Sequence, residues 1–161
     1  MIELTVPTYS TVVQRILDIL KHDTEFSKQI GEFRFGDYPD MTNFTNFPLC
    51  YVTTARSPEV IRTTMFPNPN PDELPHERRV YEYWIVLVTT SAVPESTQKS
   101  LYDLTHDAQV IFESNLRLKD PVTGDDPLCA SMRILTQGRL DTQRGKLLES
   151  ITIRLRPVLY T

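Results

Sequence analysis

The sequence predicts an α+β fold in which a mainly antiparallel β-sheet carries two principal helices on one face, with long projecting loops. Three observations favour this class. Two segments place apolar residues at helical spacing, several short segments alternate with period two, and the elements follow the order helix, strands, helix, strands. The chain has 161 residues and no internal repeat or linker, so we expect one domain over residues 1–161.

The first helix is predicted over residues 8–21, where one apolar stripe recurs at helical spacing. Ser10 is its expected N-cap, because a hydroxyl there can accept a hydrogen bond from the free N–H groups of the first turn. A short second helix follows, capped by Asp23 or Thr24 and ended by Gly31. The apolar residues of the first stripe are Val12, Val13, Ile16, Leu17 and Leu20.

Strand-like segments begin at Glu32 and return at residues 49–56, which are rich in Tyr, Val and Thr. A loop of aromatic and turn-forming residues, 36–48, separates them. Residues 59–66 are also β-prone, and they lead into a proline-rich stretch, 67–75, in which neither helix nor sheet can persist. The strongest strand is predicted over residues 78–91, whose continuous apolar run is typical of a central strand.

The second principal helix is predicted to open at Pro94 and to end at Asn115. A loop over residues 116–127 then precedes a β-hairpin with arms 130–140 and 146–159. In the second arm, apolar residues alternate with polar ones, which predicts one buried and one polar face. The alternating residues are Ile151, Thr152, Ile153, Arg154, Leu155 and Arg156.

Composition excludes several classes of function. Twelve prolines against five glycines argue against glycine-rich phosphate loops and flexible linkers. A net charge of −4 gives no long-range attraction to nucleic acid or anionic lipid. No segment is apolar over the length of a membrane span or a signal peptide, so we expect a soluble protein assembled inside the cell, without a membrane partner.

Few residues suggest catalysis or metal binding. Cys50 and Cys129 lie far apart without a CxxC pair, and we expect both to be buried, reduced thiols. One helical set and one loop set could ligate a metal, but a solvated helix face and a charged loop rim explain them better. His22 is interpreted as a residue that complements the dipole at the end of the first helix. The two sets are Asp103, His106 and Asp107, and Asp72, Glu73, His76 and Glu77.

Arginines concentrate in the terminal hairpin, where they could form a basic strip. Nucleic-acid binding is one interpretation of this strip; a solvated sheet face or a polar subunit interface is the favoured one, because Arg pairs well with carboxylates across interfaces. Asp37, Asp40, Asp125 and Asp126 are further loop carboxylates able to take part. The candidate interface residues are Arg133, Arg139, Arg144, Arg154, Arg156, Asp72, Glu73, Phe44, Phe47 and Phe66.

The element order resembles that of the tail terminator and tail-completion (neck) proteins of long-tailed phages, the minor-tail-protein-U-like group. The likeness rests on the order and lengths of the elements and on the strand-to-helix transition at residues 91–97, Ser-Ala-Val-Pro-Glu-Ser-Thr. It implies a virion protein, assembled in the host cytoplasm, that closes into a ring of six subunits on the tail tube below a head connector. It implies no catalysis, metal or cofactor. It also implies that DNA passes through the ring without specific binding.

Two other classes stay open. A neck, head-completion or tail-tube protein of related fold would share the element order, and a tube protein would polymerise without limit whereas a terminator closes one ring. A small metal-dependent hydrolase would use His76 with Asp72 and Glu73, or His106 with Asp103. The long loops at 36–48 and 67–75 favour a subunit whose loops are ordered by its neighbours. The prolines of the second loop would also stiffen a projecting arm.

Overall fold

The computed structural model describes residues 7–36, 46–54, 59–62, 77–90, 94–137 and 148–160. These residues form three helices and one mostly antiparallel sheet of seven strands, so the predicted α+β class is confirmed. The helices are α1 (Tyr9–His22), α2 (Thr24–Gln29) and α3 (Pro94–Glu113). The strands are β1 (Glu32–Phe35), β2 (Leu49–Thr54), β3 (Glu59–Arg62), β4 (Glu77–Val80), β5 (Tyr83–Thr90), β6 (Ser131–Gln137) and β7 (Leu148–Tyr160).

Helix α1 buries the predicted apolar stripe, but the predicted N-cap was wrong. Thr8 caps the helix: its backbone is extended and its Oγ1 accepts a hydrogen bond of 3.2 Å from the Thr11 amide. Ser10 already lies inside the first turn. At the other end Lys21 and His22 occupy the last turn, where a positive charge complements the helix dipole, as interpreted for His22.

Helix α2 begins as predicted, with the Asp23 carboxylate accepting a hydrogen bond of 2.9 Å from the Phe26 amide. It ends at Gln29, two residues before Gly31. Gly31 instead allows a close approach of the backbone at Asn46, which a Cβ at position 31 would overlap. The Asn46 side-chain amide donates to the Gly31 carbonyl at 2.8 Å, and this bond ties the start of β1 to the chain entering β2.

The sheet has the order β1-β2-β5-β7-β4-β3, and β6 pairs with the other side of β7. The pair β1–β2 is parallel and all other pairs are antiparallel. Strand β2 pairs antiparallel with β5 and strand β3 pairs antiparallel with β4, so residues 49–90 make one long two-stranded excursion. The terminal hairpin is confirmed as the pair β6–β7.

The strand predicted over residues 78–91 is two strands, β4 and β5. Both pair with β7 in one continuous register, from Val80 opposite Val158 to Tyr83 opposite Leu155. The break lies between these pairs, at Tyr81 and Glu82, alongside Pro157. The Tyr81 amide donates to the Pro157 carbonyl at 3.0 Å, but proline has no N–H to return the bond, so the ladder is interrupted there.

Two other boundaries differ from the prediction. β3 covers the first four residues of the β-prone stretch 59–66, and the rest of that stretch lies outside the described residues. α3 ends at Glu113, before the predicted Asn115, whose side chain closes the following turn through two bonds to the Lys119 backbone, of 2.9 and 3.0 Å. Nearly all of the predicted projecting loops, at 36–48 and 67–75, also lies outside the described residues.

The main core lies between the helices and one face of the sheet, which we call the helix face. Side chains of α1, α2 and α3 pack there against alternate residues of β2, β5, β6 and β7. The central strands supply fully buried side chains to this core, namely Cys50, Val52, Ile85, Leu87, Ile153 and Leu155. Helices on one face of the sheet are therefore confirmed.

Candidate functional site

The face of the sheet opposite the helix face carries the arginines, and we call it the arginine face. Because successive strand residues point to opposite sides, Arg154 and Arg156 face away from the buried Ile153 and Leu155. Arg133 on β6 stands directly opposite Arg156 and so shares this face. The three described arginines of the predicted basic strip are thus brought together.

The Glu82 carboxylate lies at the centre of this cluster. It occupies the interruption between β4 and β5, on the same side as Arg154 and Arg156. Arg154 donates two hydrogen bonds to Glu82 Oε1, from Nε at 3.0 Å and from Nη2 at 2.6 Å. The Arg156 Nε lies 3.9 Å from the same oxygen. All three side chains are about a quarter to a third exposed, so the attraction is only partly screened by water.

Trp84 completes the cluster on β5. Its indole N–H donates a hydrogen bond of 3.2 Å to Glu82 Oε2, so the carboxylate binds Arg154 through one oxygen and Trp84 through the other. Trp84 is also directly opposite Arg154 in the β5–β7 register. One carboxylate is therefore held by Arg154 and lies near Arg156, and Arg133 stands beside Arg156 on the next strand.

An apolar cluster lies beside the arginines on the same face. Leu49, Val86 and Val88 are buried there, and the half-buried side chains packed against them are Phe47, Tyr51 and Trp84. Among the described residues, this cluster contains no helix residue. The arginine face thus combines arginines, aromatic rings and apolar residues, a composition that is enriched in protein–protein interfaces.

The opposite side of the molecule presents an exposed surface on α3. Its Tyr102 is 54% exposed and its Val110 is 48% exposed, two large values for apolar side chains on a helix. His106 is exposed between them, one turn from each, and Asp103 and Glu113 are exposed on the same side of the helix. We call these five residues the outer face of α3.

Arg15 on α1 fixes the loop that follows α3. Its Nη1 donates to the carbonyls of Leu118 at 2.9 Å and Asp126 at 2.7 Å, and its Nη2 pairs with the Asp126 carboxylate at 2.8 Å. The guanidinium is nearly buried, whereas the Asp126 side chain is 72% exposed. The bonds hold Leu118 in the core although its φ is 50°, a left-handed conformation that is uncommon for leucine.

The two cysteines are buried as expected. Cys50 lies in the middle of the sheet, and burial raises the pKa of its thiol. Burial also raises the pKa of the Cys129 thiol to about 12, and the positive charge of the nearby Arg117 opposes this rise with a smaller effect. The Cys129 Sγ donates to the Leu116 carbonyl at 3.4 Å. Neither thiol is activated as a nucleophile, since nucleophilic cysteines have lowered pKa values.

The residues considered as metal ligands are not brought together in the described part of the chain. Asp103 and His106 are exposed on α3, and Asp107 accepts a hydrogen bond of 3.4 Å from Gln29. No group of three His, Cys, Asp or Glu residues within the described ranges is placed to hold a metal ion. Of the loop set, Asp72, Glu73 and His76 lie outside these ranges, as does the side chain of Glu77.

The predicted interface residues divide into two groups. Four are described: three of the arginines on the arginine face, and Phe47, which is half-buried against the apolar cluster of that face. The other six lie outside the described residues, and the structure does not test their role. They are Arg139, Arg144, Asp72, Glu73, Phe44 and Phe66.

Sequence reasoning missed Glu82, Trp84 and Arg15. Glu82 carried a usable signal, because it is the one charged residue within the apolar run of residues 80–88. Trp84 lies within the predicted central strand, but its place on the arginine face, with its N–H bonded to a carboxylate, was not predicted. Arg15 gave no local signal, since its partners Leu118 and Asp126 are more than a hundred residues away.

No protein-family model matches the chain, and no curated protein compared with it shows a significant similarity. Within the described residues, none of the helices is both long and apolar enough to cross a membrane. The site is therefore interpreted from its own chemistry: an arginine–glutamate–tryptophan cluster beside an apolar cluster, on the sheet face opposite the helices.

Proposed function

We propose that this chain is a structural subunit that assembles into a closed ring and terminates the tail tube of a long-tailed phage. The observation that carries the proposal is the arginine face. An interface-like surface built on Arg133, Arg154, Arg156 and Trp84 stands opposite a helix layer that bears its own exposed apolar residues. Each copy thus has two different surfaces, which is what a ring of head-to-tail contacts needs.

The fold supports the same proposal. An amphipathic N-terminal helix, a two-stranded excursion from β2 to β5, a long helix and a terminal hairpin follow each other in the order that resembles the tail terminators. The β3–β4 pair extends the excursion beyond β5 and is joined to the rest of the sheet through the end of β7. An arm of this kind, whose two strands are joined along the chain by the proline-rich segment 67–75, is suited to reach a neighbouring subunit.

In the proposed assembly six copies form the ring. The tail tube lies below it, the head connector or another neck protein lies above it, and DNA passes through the channel without specific binding. In this assembly the protein is located in the tail or neck of the virion. The net charge of −4 supports passage rather than capture of DNA, because tight binding to phosphates needs a positive surface potential. Aromatic and arginine side chains on the arginine face support contacts between proteins.

The first experiment measures the mass and shape of the assembled protein. The purified chain is examined by light scattering and electron microscopy, alone and with tail tubes of the phage that encodes it. We expect rings of one defined size, free or bound to one end of each tube. Open fibres would show a tube protein instead. A monomer that leaves the ends of the tubes bare would contradict the proposal.

A matched pair of variants tests whether the arginine face takes part. Arg133 is exposed and makes no ion pair within the described part of the chain, so Arg133→Glu should fold normally. It should weaken ring formation at least tenfold in concentration, because it reverses a charge at the interface. Lys28→Glu makes the same charge change on α2, at a side chain that is 73% exposed, and should assemble like the wild type. Equal assembly of both variants would place the interface elsewhere.

A further inference from the structure

The sheet ends in edge strands whose outer sides pair with no other described strand. β1 pairs with β2 alone and β6 pairs with β7 alone, and the two lie at opposite ends of the strand order β1-β2-β5-β7-β6. β3 is a further edge strand, and its side chains lie outside the described residues. The outer side of an edge strand carries N–H and C=O groups that can bind another strand.

Phe33 and Phe35 present the outer backbone groups of β1. The amides of Glu32 and Gly36 donate to carbonyls on the β2 side, at 3.4 and 2.8 Å. Because alternate residues of a strand bond to opposite sides, the N–H and C=O groups of Phe33 and Phe35 point to the outer side. Both side chains lie on the helix face, where Phe33 packs against the core and Phe35 is 54% exposed. An exposed aromatic ring therefore lies at an unpaired strand edge.

Met132 and Ile134 present the outer backbone groups of β6. The Pro157 carbonyl accepts the Tyr81 amide, so its neighbours along β7 bond in the other direction, to β6. The register sets the odd-numbered residues of β6 opposite these neighbours, which turns the groups of the even-numbered residues to the outer side. The side chains of Met132 and Ile134 lie on the helix face, one buried and one half-buried against the core.

The two edges match in strand direction and in face. β1 runs parallel to β2, and the pairs β2–β5, β5–β7 and β7–β6 are antiparallel, so β1 and β6 run in opposite directions. Copies repeated around an axis along the strands therefore bring β6 of one copy beside β1 of the next as antiparallel strands. On both edges the outer groups belong to residues whose side chains lie on the helix face, as paired residues of one sheet require.

We propose that the outer side of β6 in one copy pairs with the outer side of β1 in the next copy, so that one antiparallel sheet continues between them. The N–H and C=O groups of Phe33 and Phe35 are then all bonded. The favoured register sets Ile134 opposite Phe35, a pair of a β-branched and an aromatic side chain that also covers the exposed ring. A shift by two residues would set Arg133 opposite Arg34, and these like charges disfavour it.

A second copy is favoured as the occupant because every copy carries both edges, at opposite ends of one sheet. The contact joins unlike edges and leaves one of each free, so it repeats from copy to copy until the ring closes. The inference rests on the proposed ring and deepens it, because it names the strands that meet in each contact. Arg133 belongs to β6, so the contact places this arginine at the boundary between two copies.

Cysteine cross-linking tests this contact. Phe35→Cys and Ile134→Cys place thiols on the same face of the two strands that meet between copies. Within one subunit β1 and β6 are four strand spacings apart, about 19 Å, so a shorter bismaleimide joins these positions only between two copies. Cys50 and Cys129 are buried with raised thiol pKa values and should not react in the folded protein.

The double variant Phe35→Cys/Ile134→Cys should give a ladder of covalent species up to the full ring. A mixture of the two single variants should stop at dimers. A single variant that forms dimers by itself would overturn the inference, because like edges then meet across a two-fold axis. Rings that form normally but do not cross-link would overturn it too and leave the proposed function standing. A ladder obtained from open fibres would support the edge contact and contradict the ring.

A matched pair of variants tests the edge without new cysteines. Phe35→Lys places a charge at the outer edge of β1 and should weaken ring formation by about tenfold or more in concentration. Val122→Lys makes the same change at a loop side chain that is 80% exposed, and it should assemble like the wild type. Equal assembly of both variants would overturn the inference. Rings of Phe35→Lys that form normally but no longer cap tubes would overturn it as well, because the edge then binds the tube protein.

Discussion

Arg133 and Arg156 are cross-strand partners on β6 and β7, with both side chains on the arginine face. Like charges directly opposite each other destabilise a strand pair by a few tenths of a kcal/mol to about 1 kcal/mol. Glu82 offsets part of this repulsion through its contacts with Arg154 and Arg156. Arg133 lies on β6, on the side of β7 away from Glu82 and β5. Its positive charge can therefore attract an anionic partner.

Replacing Glu82 by Gln should destabilise the folded chain by roughly 1–2 kcal/mol. The charge of the acceptor for Arg154 is lost, and so is the attraction of the carboxylate for both Arg154 and Arg156. The midpoint of urea unfolding measures the effect. Glu113→Gln is the matched control, because Glu113 is exposed on α3 and accepts one weak bond of 3.3 Å from Gln109. Equal midpoints for both variants would show that the cluster does not stabilise the sheet.

Arg15→Ala should release the loop between α3 and β6. The variant removes three hydrogen bonds and leaves the carbonyls of Leu118 and Asp126 without this donor, so we expect a loss of about 2 kcal/mol. Cys129, at the end of this loop, should then react faster with a thiol reagent, while Cys50 stays protected. Arg15→Lys should recover only part of the loss, because an ammonium cannot span these acceptors as a planar guanidinium does. Unchanged reactivity of Cys129 would contradict this account.

The sequence predicted α1 well because its information is local. Apolar residues at helical spacing from Val12 to Leu20 place one stripe on the core, and the structure buries that stripe. The cap was misassigned because three hydroxyl residues, Thr8, Ser10 and Thr11, stand close together in the sequence. Which of them caps depends on which one has the extended backbone, and local composition does not decide that.

The arginine cluster was predicted in part because alternation along one strand is also local. Arg154 and Arg156 had to share a face, and the register then placed Arg133 beside them. Glu82 was missed because it is 72 positions from Arg154 and the contact exists only once β5 pairs with β7. The break at Tyr81 and Glu82 has the same origin, since it depends on Pro157 in a strand distant in sequence.

The stability of the folded chain should fall as the pH rises above about 9. Burial raises the pKa of the Cys129 thiol to about 12, and it also raises the pKa values of Cys50 and Tyr83 above their ordinary values of 9.0 and 10.0. In this range the unfolded chain binds fewer protons than the folded chain, so unfolding is favoured as protons are removed. Urea midpoints at about pH 8 and about pH 10 measure the slope. Cys129→Ala should reduce the slope, and equal midpoints at both pH values would contradict the assignment.

Trp84 should report directly on whether a partner covers the arginine face. It is the only tryptophan in the chain, and it is half-buried on that face beside Glu82 and Arg154. When a second copy packs there, the indole loses contact with water. Its emission should move to shorter wavelengths and quenching by acrylamide should fall, as the protein concentration is raised through the range of assembly seen by light scattering.

Arg133→Glu provides the control for this signal. It changes neither Trp84 nor its bond to Glu82, but it should weaken assembly at least tenfold, so its emission should change only at concentrations at least tenfold higher. Trp84→Phe gives the tyrosine background to be subtracted. Assembly that proceeds in the wild type with no change in emission or quenching would show that the subunits meet elsewhere, because Trp84 then remains as exposed in the assembled protein as in the free chain.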